Sequence, residues 1–286
     1  MISENKIKSI ESDTLSRYKT KHFFKYYGEI TDPLDYINYV QWAKENSKKI
    51  YFLGQGSNTL FSKKNIDTLI IKNKIPKKIN VLSKENNLVE ISSTVLMHEI
   101  LKYCYKNSWD SFYYLASVPA TIGGALAMNA GEGKQKKSSI FDFVESVTYI
   151  DEDNVIKTIS VNNMQINYRE TMFTGIQGKF IIKALFKFPP RDYEGINPIK
   201  ERVLWAKENQ DNIAPNCGSV FCSSFSPIMR FMKGIKIGKA TYSSKTRNWI
   251  NNKSESNKPI LTLIYIAKGL HFILRKECKV EVIKVK

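Results

Sequence analysis

The sequence has few of the residues that build metal centres and disulfide frameworks. Its 286 residues include only four cysteines and three histidines. The cysteines form no C-x-x-C pair and the histidines are far apart, which argues against a zinc site and a secreted disulfide scaffold. We therefore expect no bound metal, and thiols that are buried or idle. The cysteines are Cys104, Cys217, Cys222 and Cys278.

Long apolar runs are also missing. The N-terminus, MISENKIKSIESDT, lacks the hydrophobic core of a signal peptide, and no apolar run reaches the length that spans a bilayer. The hydrophobic content of 42% and charged content of 25% are typical of soluble globular proteins, and the chain can form one large domain or two to three small ones. We expect a cytoplasmic protein, monomeric and not inserted in a membrane.

Arginine is scarce among the basic residues. Only seven of the 44 are arginine, although the formal net charge is +17. The lysines are mixed with many asparagines and isoleucines, as an AT-rich genome would produce, and arginine-based reading of bases has little support. We expect no nucleic-acid partner. A diffuse positive field would still attract small polyanions, including a diphosphate.

No complete nucleotide fingerprint is present, but two glycine-rich stretches stand out. The first, LGQGSNTLF, begins at Leu53 after an apolar run. Gly54 and Gly56 let the backbone turn and approach a ligand, while Ser57 and Asn58 add side-chain donors. The third glycine of the dinucleotide pattern and the Gly-Lys-Ser/Thr of a P-loop are absent. A phosphate-binding loop and a plain glycine turn between two strands are equally good interpretations.

The second stretch, VPATIGGALAMNAG, covers residues 118–131. Its small residues keep side-chain bulk low around Pro119, Thr121 and Asn129. A flat ligand could therefore lie against the main chain. A tightly packed helix or strand crossing is the alternative for this stretch alone. Taken together, the two stretches predict a cofactor cradle.

Hydrophobic periodicity predicts an α+β protein. The first helix should bury Leu34, Ile37, Val40 and Trp42, and the second should bury Leu96, Met97, Ile100, Leu101 and Cys104. Prolines suggest boundaries that give subdomains 1–76, 77–190 and 191–286. The predicted helices cover residues 32–46, 94–107, 199–210 and 259–276. The predicted strands cover residues 50–53, 68–72, 78–82, 88–92, 144–150, 155–159, 180–188 and 279–284.

Four further motifs follow the glycine stretches: NYRETMF from Asn167, CGSVF from Cys217, SSKTRNWINN from Ser243 and KVEV from Lys279. With all six in this order, the sequence resembles the UDP-N-acetylenolpyruvoylglucosamine reductase family, in its shorter subclass. The resemblance implies an FAD-binding fold of the vanillyl-alcohol-oxidase/PCMH type in two subdomains, followed by a C-terminal α+β substrate-binding domain. It also implies FAD as cofactor and NADPH as hydride donor. The implied reaction converts UDP-N-acetylglucosamine enolpyruvate to UDP-N-acetylmuramate in peptidoglycan precursor synthesis.

The resemblance assigns roles to individual residues. Arg169 would bind the substrate carboxylate and stabilise the enolate, Ser219 would donate the proton, and Glu281 would assist. Outside the motifs, these residues would be interpreted as a surface salt bridge, a turn former and an edge residue. Lys245 and Asn252 would hold the substrate. The implied flavin-binding residues are Gly54, Gln55, Gly56, Ser57, Asn58, Pro119, Ala120, Thr121, Gly123, Gly124, Ala125 and Asn129.

Several positions depart from the family pattern. Gln55, Ser117 and Ala120 stand where glycine is usual, Thr246 stands where histidine is usual, and the tyrosine after Gly131 is missing. A flavin-dependent paralogue with another substrate, in a surface-sugar or secondary pathway, is therefore an alternative. A non-enzymatic protein whose basic surface binds nucleic acid or anionic partners is a third alternative.

Overall fold

The computed structural model describes residues 6–133, 138–176 and 178–286; the first residues of the N-terminal segment discussed above lie outside these ranges. The α-helices are α1 (Asp35–Glu45), α2 (Met97–Lys106), α3 (Ile122–Ala127), α4 (Pro198–Asn209), α5 (Ser226–Phe231) and α6 (Lys258–Ile273). The strands up to the second glycine stretch are β1 (Lys8–Ser12), β2 (His22–Ile30), β3 (Ile50–Leu53), β4 (Thr59–Phe61), β5 (Asn65–Ile66), β6 (Leu69–Asn73), β7 (Ile79–Ser83) and β8 (Leu88–Ser92). The middle strands are β9 (Val144–Ile150), β10 (Ile156–Ser160), β11 (Ile166–Asn167), β12 (Glu170–Thr171) and β13 (Phe180–Lys187). The last strands are β14 (Phe221–Ser223), β15 (Lys236–Ile237), β16 (Ala240–Tyr242), β17 (Ile250–Asn252), β18 (Lys279–Val280) and β19 (Ile283–Val285).

The chain forms two compact units, each built from separated segments. The first unit, which we name the flavin unit after the cofactor that the family resemblance implies, comprises residues 1–7, 28–54 and 69–204. The C-terminal unit comprises residues 8–27, 55–68 and 205–286. The division into three subdomains at residues 76 and 190 stays a prediction. Within the described ranges, no helix combines the length and the apolar character needed to cross a membrane.

The flavin unit contains an antiparallel sheet in the order β10-β9-β13-β8-β7 and a parallel pair, β3 and β6. In the parallel pair Ile50 lies opposite Leu69, and Leu53 lies opposite Lys72. The first three residues of β6 are fully buried, as expected for a parallel strand covered on both faces. β3 ends at the first glycine stretch, and so the sheet fixes where that stretch begins.

Helix α2 confirms the predicted apolar stripe. Four residues spaced at three- and four-residue intervals are buried against the sheet: Met97, Ile100, Leu101 and Cys104. The carboxylate of Glu99 accepts a hydrogen bond from the Leu96 N–H at 2.8 Å, which satisfies a free donor at the start of the helix. Leu96 is only partly buried, because the helix begins one residue later.

The prediction for the buried face of α1 is confirmed for Val40 and wrong for Leu34, while Ile37 and Trp42 are only partly buried. Leu34 is 62% exposed, whereas Tyr36 and Tyr39 are buried. The Tyr36 ring stacks on Phe52 with centroids 5.5 Å apart, and its hydroxyl donates to the Asp151 carbonyl at 2.9 Å. A tyrosine can fill a core when its hydroxyl finds an acceptor, and this makes the face aromatic where aliphatic residues were expected.

The C-terminal unit packs α5 and α6 against short sheets. β15, β16 and β17 form an antiparallel sheet, β14 pairs with β18, and β19 runs parallel to β4. The continuous strand predicted at 279–284 is divided, because the chain changes partner strand at Glu281 and Val282. The N–H groups of these two residues point to the Val220 carbonyl, at 2.8 and 3.4 Å. The break holds Glu281 beside the segment that follows Ser219.

Candidate functional site

Both glycine-rich stretches contribute to one cleft in the flavin unit. The cleft is open to solvent, and its empty space, including the part that merges with the solvent, measures about 480 Å³. Gly54 enters it from the first stretch, at the end of β3. The second stretch contributes Thr121, Gly123, Gly124 and Ala127, from the start of α3 onwards. Its other lining residues are Phe52, Leu53, Asn73, Phe173, Gly175, Lys179, Phe180 and Ile181.

Gly54 permits a close approach between the two stretches. A Cβ atom at this position would lie 2.9 Å from the Thr121 hydroxyl oxygen, closer than real Cβ contacts. That hydroxyl caps α3 by accepting a hydrogen bond from the Gly124 N–H at 3.2 Å. A side chain at residue 54 would therefore press on the cap of the helix that carries the second stretch.

Not every small residue of the second stretch faces the cleft. A Cβ atom on Gly123 would lie 2.8 Å from the Cβ atom of Ser93, so this glycine is also needed for packing on the segment after β8. Ala120 and Ala125 are 7% and 1% exposed and belong to the hydrophobic core. Pro119 is exposed. The tight-packing interpretation thus holds for part of this stretch.

Asn129 lies just beyond α3 in a left-handed conformation, with φ at +41°. Its amide nitrogen donates to the Asn167 carbonyl at 2.9 Å, whereas its buried side-chain oxygen has no hydrogen-bond partner in the described part of the chain. A buried acceptor without a partner costs about 1–3 kcal/mol. A ligand that carries an N–H donor would relieve this cost.

Arg169 binds the end of the second stretch. Its guanidinium donates from Nη1 to the Asn129 carbonyl at 2.9 Å and from Nη2 to the Gly131 carbonyl at 2.6 Å. The guanidinium also lies over the Tyr168 ring, 4.9 Å from the centroid. Arg169 itself has a φ of +59°, which is strained for a residue with a side chain. The predicted catalytic arginine is thus fixed against the predicted flavin segment.

The remainder of the first stretch lies in the C-terminal unit. Gly56 has a φ of +65°, and a Cβ atom there would overlap the Leu15 carbonyl oxygen. Gln55 is exposed and Ser57 is partly buried. The Asn58 amide donates to the Glu281 carbonyl at 3.1 Å, while the Asn58 carbonyl accepts from the N–H of Ile283 at 2.9 Å. A predicted flavin residue and a predicted catalytic residue are therefore neighbours.

Ser219 and Glu281 lie on adjacent backbone segments of the C-terminal unit. Ser219 follows Gly218, whose φ is +71°, and the next residue, Val220, accepts a hydrogen bond from the Glu281 N–H at 2.8 Å. Burial and the charge of Glu281 raise the pKa of the Cys222 thiol nearby. The Glu281 carboxylate therefore lends negative charge to the segment that carries Ser219.

The two predicted substrate residues have different surroundings. Lys245 is exposed, and its ammonium group donates to the Lys207 carbonyl at 3.2 Å. Asn252 is 1% exposed, and its amide nitrogen donates to the carbonyls of Tyr18 and Ser254 at 2.7 and 2.6 Å. Its oxygen accepts from the Ser254 N–H at 3.0 Å. This geometry favours a structural role for Asn252, and leaves Lys245 at the surface.

Comparison with known proteins places the chain among flavoenzymes. A family model described as "FAD binding domain" matches residues 25–160. Curated proteins named UDP-N-acetylenolpyruvoylglucosamine reductase include that of Prochlorococcus marinus, 29% identical over 90% of this chain and 89% of the relative. That of Francisella tularensis is 28% identical over 91% of this chain and 92% of the relative. The chain is a homologue of the UDP-N-acetylenolpyruvoylglucosamine reductases.

The fold agrees with this assignment. The crystal structure of the UDP-N-acetylenolpyruvylglucosamine reductase from Thermus caldophilus superposes with a TM-score of 0.76 at 17% identity, covering 98% of this chain and all of that one. The predicted α+β fold with an FAD-binding domain of the vanillyl-alcohol-oxidase type is thereby confirmed, as is the resemblance itself. This reductase homologue is an FAD-dependent oxidoreductase.

The residues of the reductase homologue fit FAD on their own chemistry. A Cβ atom at Gly54 would crowd Thr121 in the wall of the cleft, so the backbone there stays open to a ligand, and the Asn129 side-chain oxygen just beyond α3 is a buried acceptor without a partner in the described chain. Across the described ranges, no group of three or more His, Cys, Asp or Glu side chains is placed to hold a metal ion.

The sequence does not single out several residues that line the cleft. Phe52, Phe173 and Phe180 come from three distant segments, and only Phe173 lies in a recognised motif. Lys179 also lines the cleft, with its ammonium group 3.1 Å from the Glu152 carboxylate. Phe52 and Phe180 both lie in predicted strands, but the sequence does not show that these strands bring the two rings together, 5.1 Å apart between centroids.

Asp211 is a further residue that the motifs miss. Its buried carboxylate accepts from the Ser243 hydroxyl at 2.6 Å and from the Asn251 amide at 2.8 Å. Its own N–H donates to the Thr246 hydroxyl at 2.7 Å. Thr246, which stands where the family resemblance leads us to expect a histidine, thus helps to fix the turn that presents Lys245.

Proposed function

We propose that the protein reduces UDP-N-acetylglucosamine enolpyruvate to UDP-N-acetylmuramate with NADPH, in peptidoglycan precursor synthesis. The observation that carries the proposal is the cleft to which both glycine stretches contribute, since both stretches lie within residues 25–160, the segment matched by the FAD binding domain. The curated relatives, which match over about nine-tenths of both chains, support this substrate. We also propose that the protein acts in the cytoplasm as a monomer.

The flavin would be held by backbone and small side chains. Gly54, Thr121 and Gly124 give the cleft a wall without bulk, and the Asn129 side-chain oxygen, buried just beyond α3, would be a further acceptor if cofactor binding exposes it. Bound FAD would supply hydride transfer from NADPH to the enolpyruvyl double bond. The aromatic residues of the cleft, Phe173 among them, would exclude water from that part of the cofactor.

Arg169 would contribute a permanent positive charge. The substrate carries a carboxylate on the carbon that becomes electron-rich during reduction, and a guanidinium beside it would stabilise the enolate-like charge. The bonds from Arg169 to Asn129 and Gly131 keep this charge at the edge of the flavin segment. The same side chain would thereby order the cofactor segment and bind the substrate.

Ser219 would give its hydroxyl proton to the substrate carbon that bears the carboxylate. Serine is a weak acid, so it needs a partner that takes part in replacing the proton. Glu281, on the adjacent backbone segment, is the candidate for that partner. Lys245 would attract the diphosphate of the nucleotide, because it is an exposed cation on the turn that Asp211 fixes.

The test is a separation of the two half-reactions. Purified protein should be yellow, NADPH should bleach the flavin, and UDP-N-acetylglucosamine enolpyruvate should restore the colour. Ser219→Ala should keep bleaching by NADPH at the normal rate and lose turnover of the enol ether, whereas Ser224→Ala should leave both unchanged. A colourless protein that cannot bind FAD would disprove the proposal. Bleaching without reoxidation by this substrate in the unmodified protein would favour the flavin-dependent paralogue.

A further inference from the structure

The positive charge of the chain is concentrated in one of its two units. The C-terminal unit has 22 basic and 8 acidic residues, a net formal charge of +14. The flavin unit has 22 basic and 19 acidic residues, a net formal charge of +3, although it is the larger unit. Nearly all of the +17 of the whole chain therefore belongs to the unit that contains Ser219, Lys245 and Glu281.

Codon bias does not account for this distribution. An AT-rich genome enriches lysine everywhere, whereas the C-terminal unit has its 22 basic residues in 116 positions and the flavin unit has its 22 in 170. Acidic residues differ in the opposite sense, with 8 in the C-terminal unit and 19 in the flavin unit. Every one of the 22 basic side chains of that unit is exposed. The basic groups therefore face the solvent and approaching ligands, and none of them is buried in the interior of the unit.

We propose that the C-terminal unit is an electrostatic collector for nucleotides that carry two or more phosphate charges. The inference rests on the proposed function, since NADPH and a UDP-sugar share this chemistry. Two unit charges about 20 Å apart in water interact by a few tenths of a kcal/mol, so single lysines matter little, but fourteen uncompensated charges add up on a multiply charged ligand. Such fields raise association rates by roughly 10- to 1,000-fold.

The composition of the charge favours small anions over nucleic acid. Only four of the 22 basic residues of this unit are arginine. Base reading in nucleic acids depends mainly on arginine forks and amide side chains in a groove, whereas lysines act as point charges on phosphates. A lysine field without base-reading side chains is suited to concentrating free nucleotides near a site that then selects among them.

The first experiment measures salt dependence on the holoenzyme. The second-order rate constant of flavin bleaching by NADPH should fall roughly tenfold between about 10 and 200 mM KCl, because screening shortens the reach of the field. Binding of UDP, followed by calorimetry, should weaken over the same range, so that the two nucleotides are tested separately. Reoxidation of the bleached flavin by menadione, a neutral quinone, should not change with salt.

The second experiment reverses charges away from the proposed catalytic residues. Lys236 and Lys239 are exposed on β15 and the turn that follows it. Lys236→Glu/Lys239→Glu should weaken UDP binding roughly three- to tenfold at low salt, leave kcat unchanged, and flatten the salt dependence of UDP binding. The matched control is Lys102→Glu/Lys106→Glu on α2 of the flavin unit, where both lysines are exposed and the effect should be less than about twofold.

The outcomes separate the collector from the proposed reaction. A flavin that NADPH cannot bleach at any salt concentration, or that the enol ether cannot reoxidise, contradicts the proposed function. Bleaching that proceeds equally fast at all salt concentrations, or equal losses in the two charge-reversed variants, overturns the collector. So does a single-stranded RNA oligonucleotide that binds the holoenzyme more tightly than UDP per phosphate, since that result would assign the field to nucleic acid.

Discussion

Gly54→Ala tests the contact between the two glycine stretches. The new methyl group would lie 2.9 Å from the Thr121 hydroxyl oxygen and would displace it from its hydrogen bond to the Gly124 N–H. Overpacking destabilises the fold by about 1–3 kcal/mol, and the loss of a helix cap by about 1 kcal/mol. Alanine also lowers the conformational entropy of the unfolded chain, which stabilises the fold by less than about 1 kcal/mol. We expect a net loss of about 1–3 kcal/mol in the free energy of unfolding.

The same displacement should weaken flavin binding, because the Thr121 region lines the cleft. A loss of about 1.4 kcal/mol corresponds to a tenfold rise in the Kd for FAD, measured by quenching of flavin fluorescence. Urea denaturation of the apoprotein gives the stability change. As a control, Gly269→Ala in α6 meets no atom within 4 Å and should raise stability by about 0.5–1 kcal/mol without changing the Kd.

A double-mutant cycle isolates the contact. Thr121→Ala removes the oxygen that the new methyl group would press on, and loses the cap by itself. If this contact causes the destabilisation of Gly54→Ala, the double variant should lose about 1 kcal/mol less free energy of unfolding than the two single variants lose in sum. Additive costs, or a Gly54→Ala variant with unchanged stability and unchanged affinity for FAD, would refute the reasoning.

Two further predictions concern buried polar groups. Burial and the neighbouring Lys74 lower the pKa of Lys72 from 10.5 to about 8. Because the unfolded chain then binds more protons between these pH values, wild-type stability relative to Lys72→Met should rise by about 2 kcal/mol from pH 8 to pH 9.5, and parallel pH profiles in urea denaturation would contradict the shift. Asn252→Ala leaves the carbonyl of Tyr18 without its donor, and should lower the free energy of unfolding by about 2–4 kcal/mol while the KM for the nucleotide sugar stays constant. Unchanged stability with a raised KM would instead support the substrate-binding role that the family resemblance implies.

Elements governed by short-range patterns could be predicted from the sequence. The stripe of α2 follows helical spacing, and β3 and β8 are found at the residues predicted for them. The aromatic part of the buried face of α1 could not be predicted, since Tyr36 is buried through acceptors that come from other segments. The break at Glu281 depends on the chain leaving β14 for β4, and a single strand pattern contains no sign of such an exchange.

The candidate site shows the same division. The glycines and the motif residues are visible in the sequence, because each needs a particular residue type at a particular position. The conformation that joins them is not: Asn129 and Arg169 both have positive φ angles, although neither is glycine. Each such residue costs on the order of 1–3 kcal/mol unless the surroundings hold it. Hydrogen bonds between distant segments do so here.

Reciprocal hydrogen bonds hold Asn129 and Arg169 in these strained conformations. The Arg169 guanidinium binds the carbonyls of Asn129 and Gly131, and the Asn129 amide binds the Asn167 carbonyl in return. Each of the two segments, 129–131 and 167–169, therefore fixes the conformation of the other. In this arrangement the Asn129 side-chain oxygen is buried with no partner in the described chain. A structure selected for stability alone would have no reason to retain both the strain and the unpartnered acceptor. We expect a bound flavin to supply the missing donor, and the free energy of cofactor binding would then offset both costs.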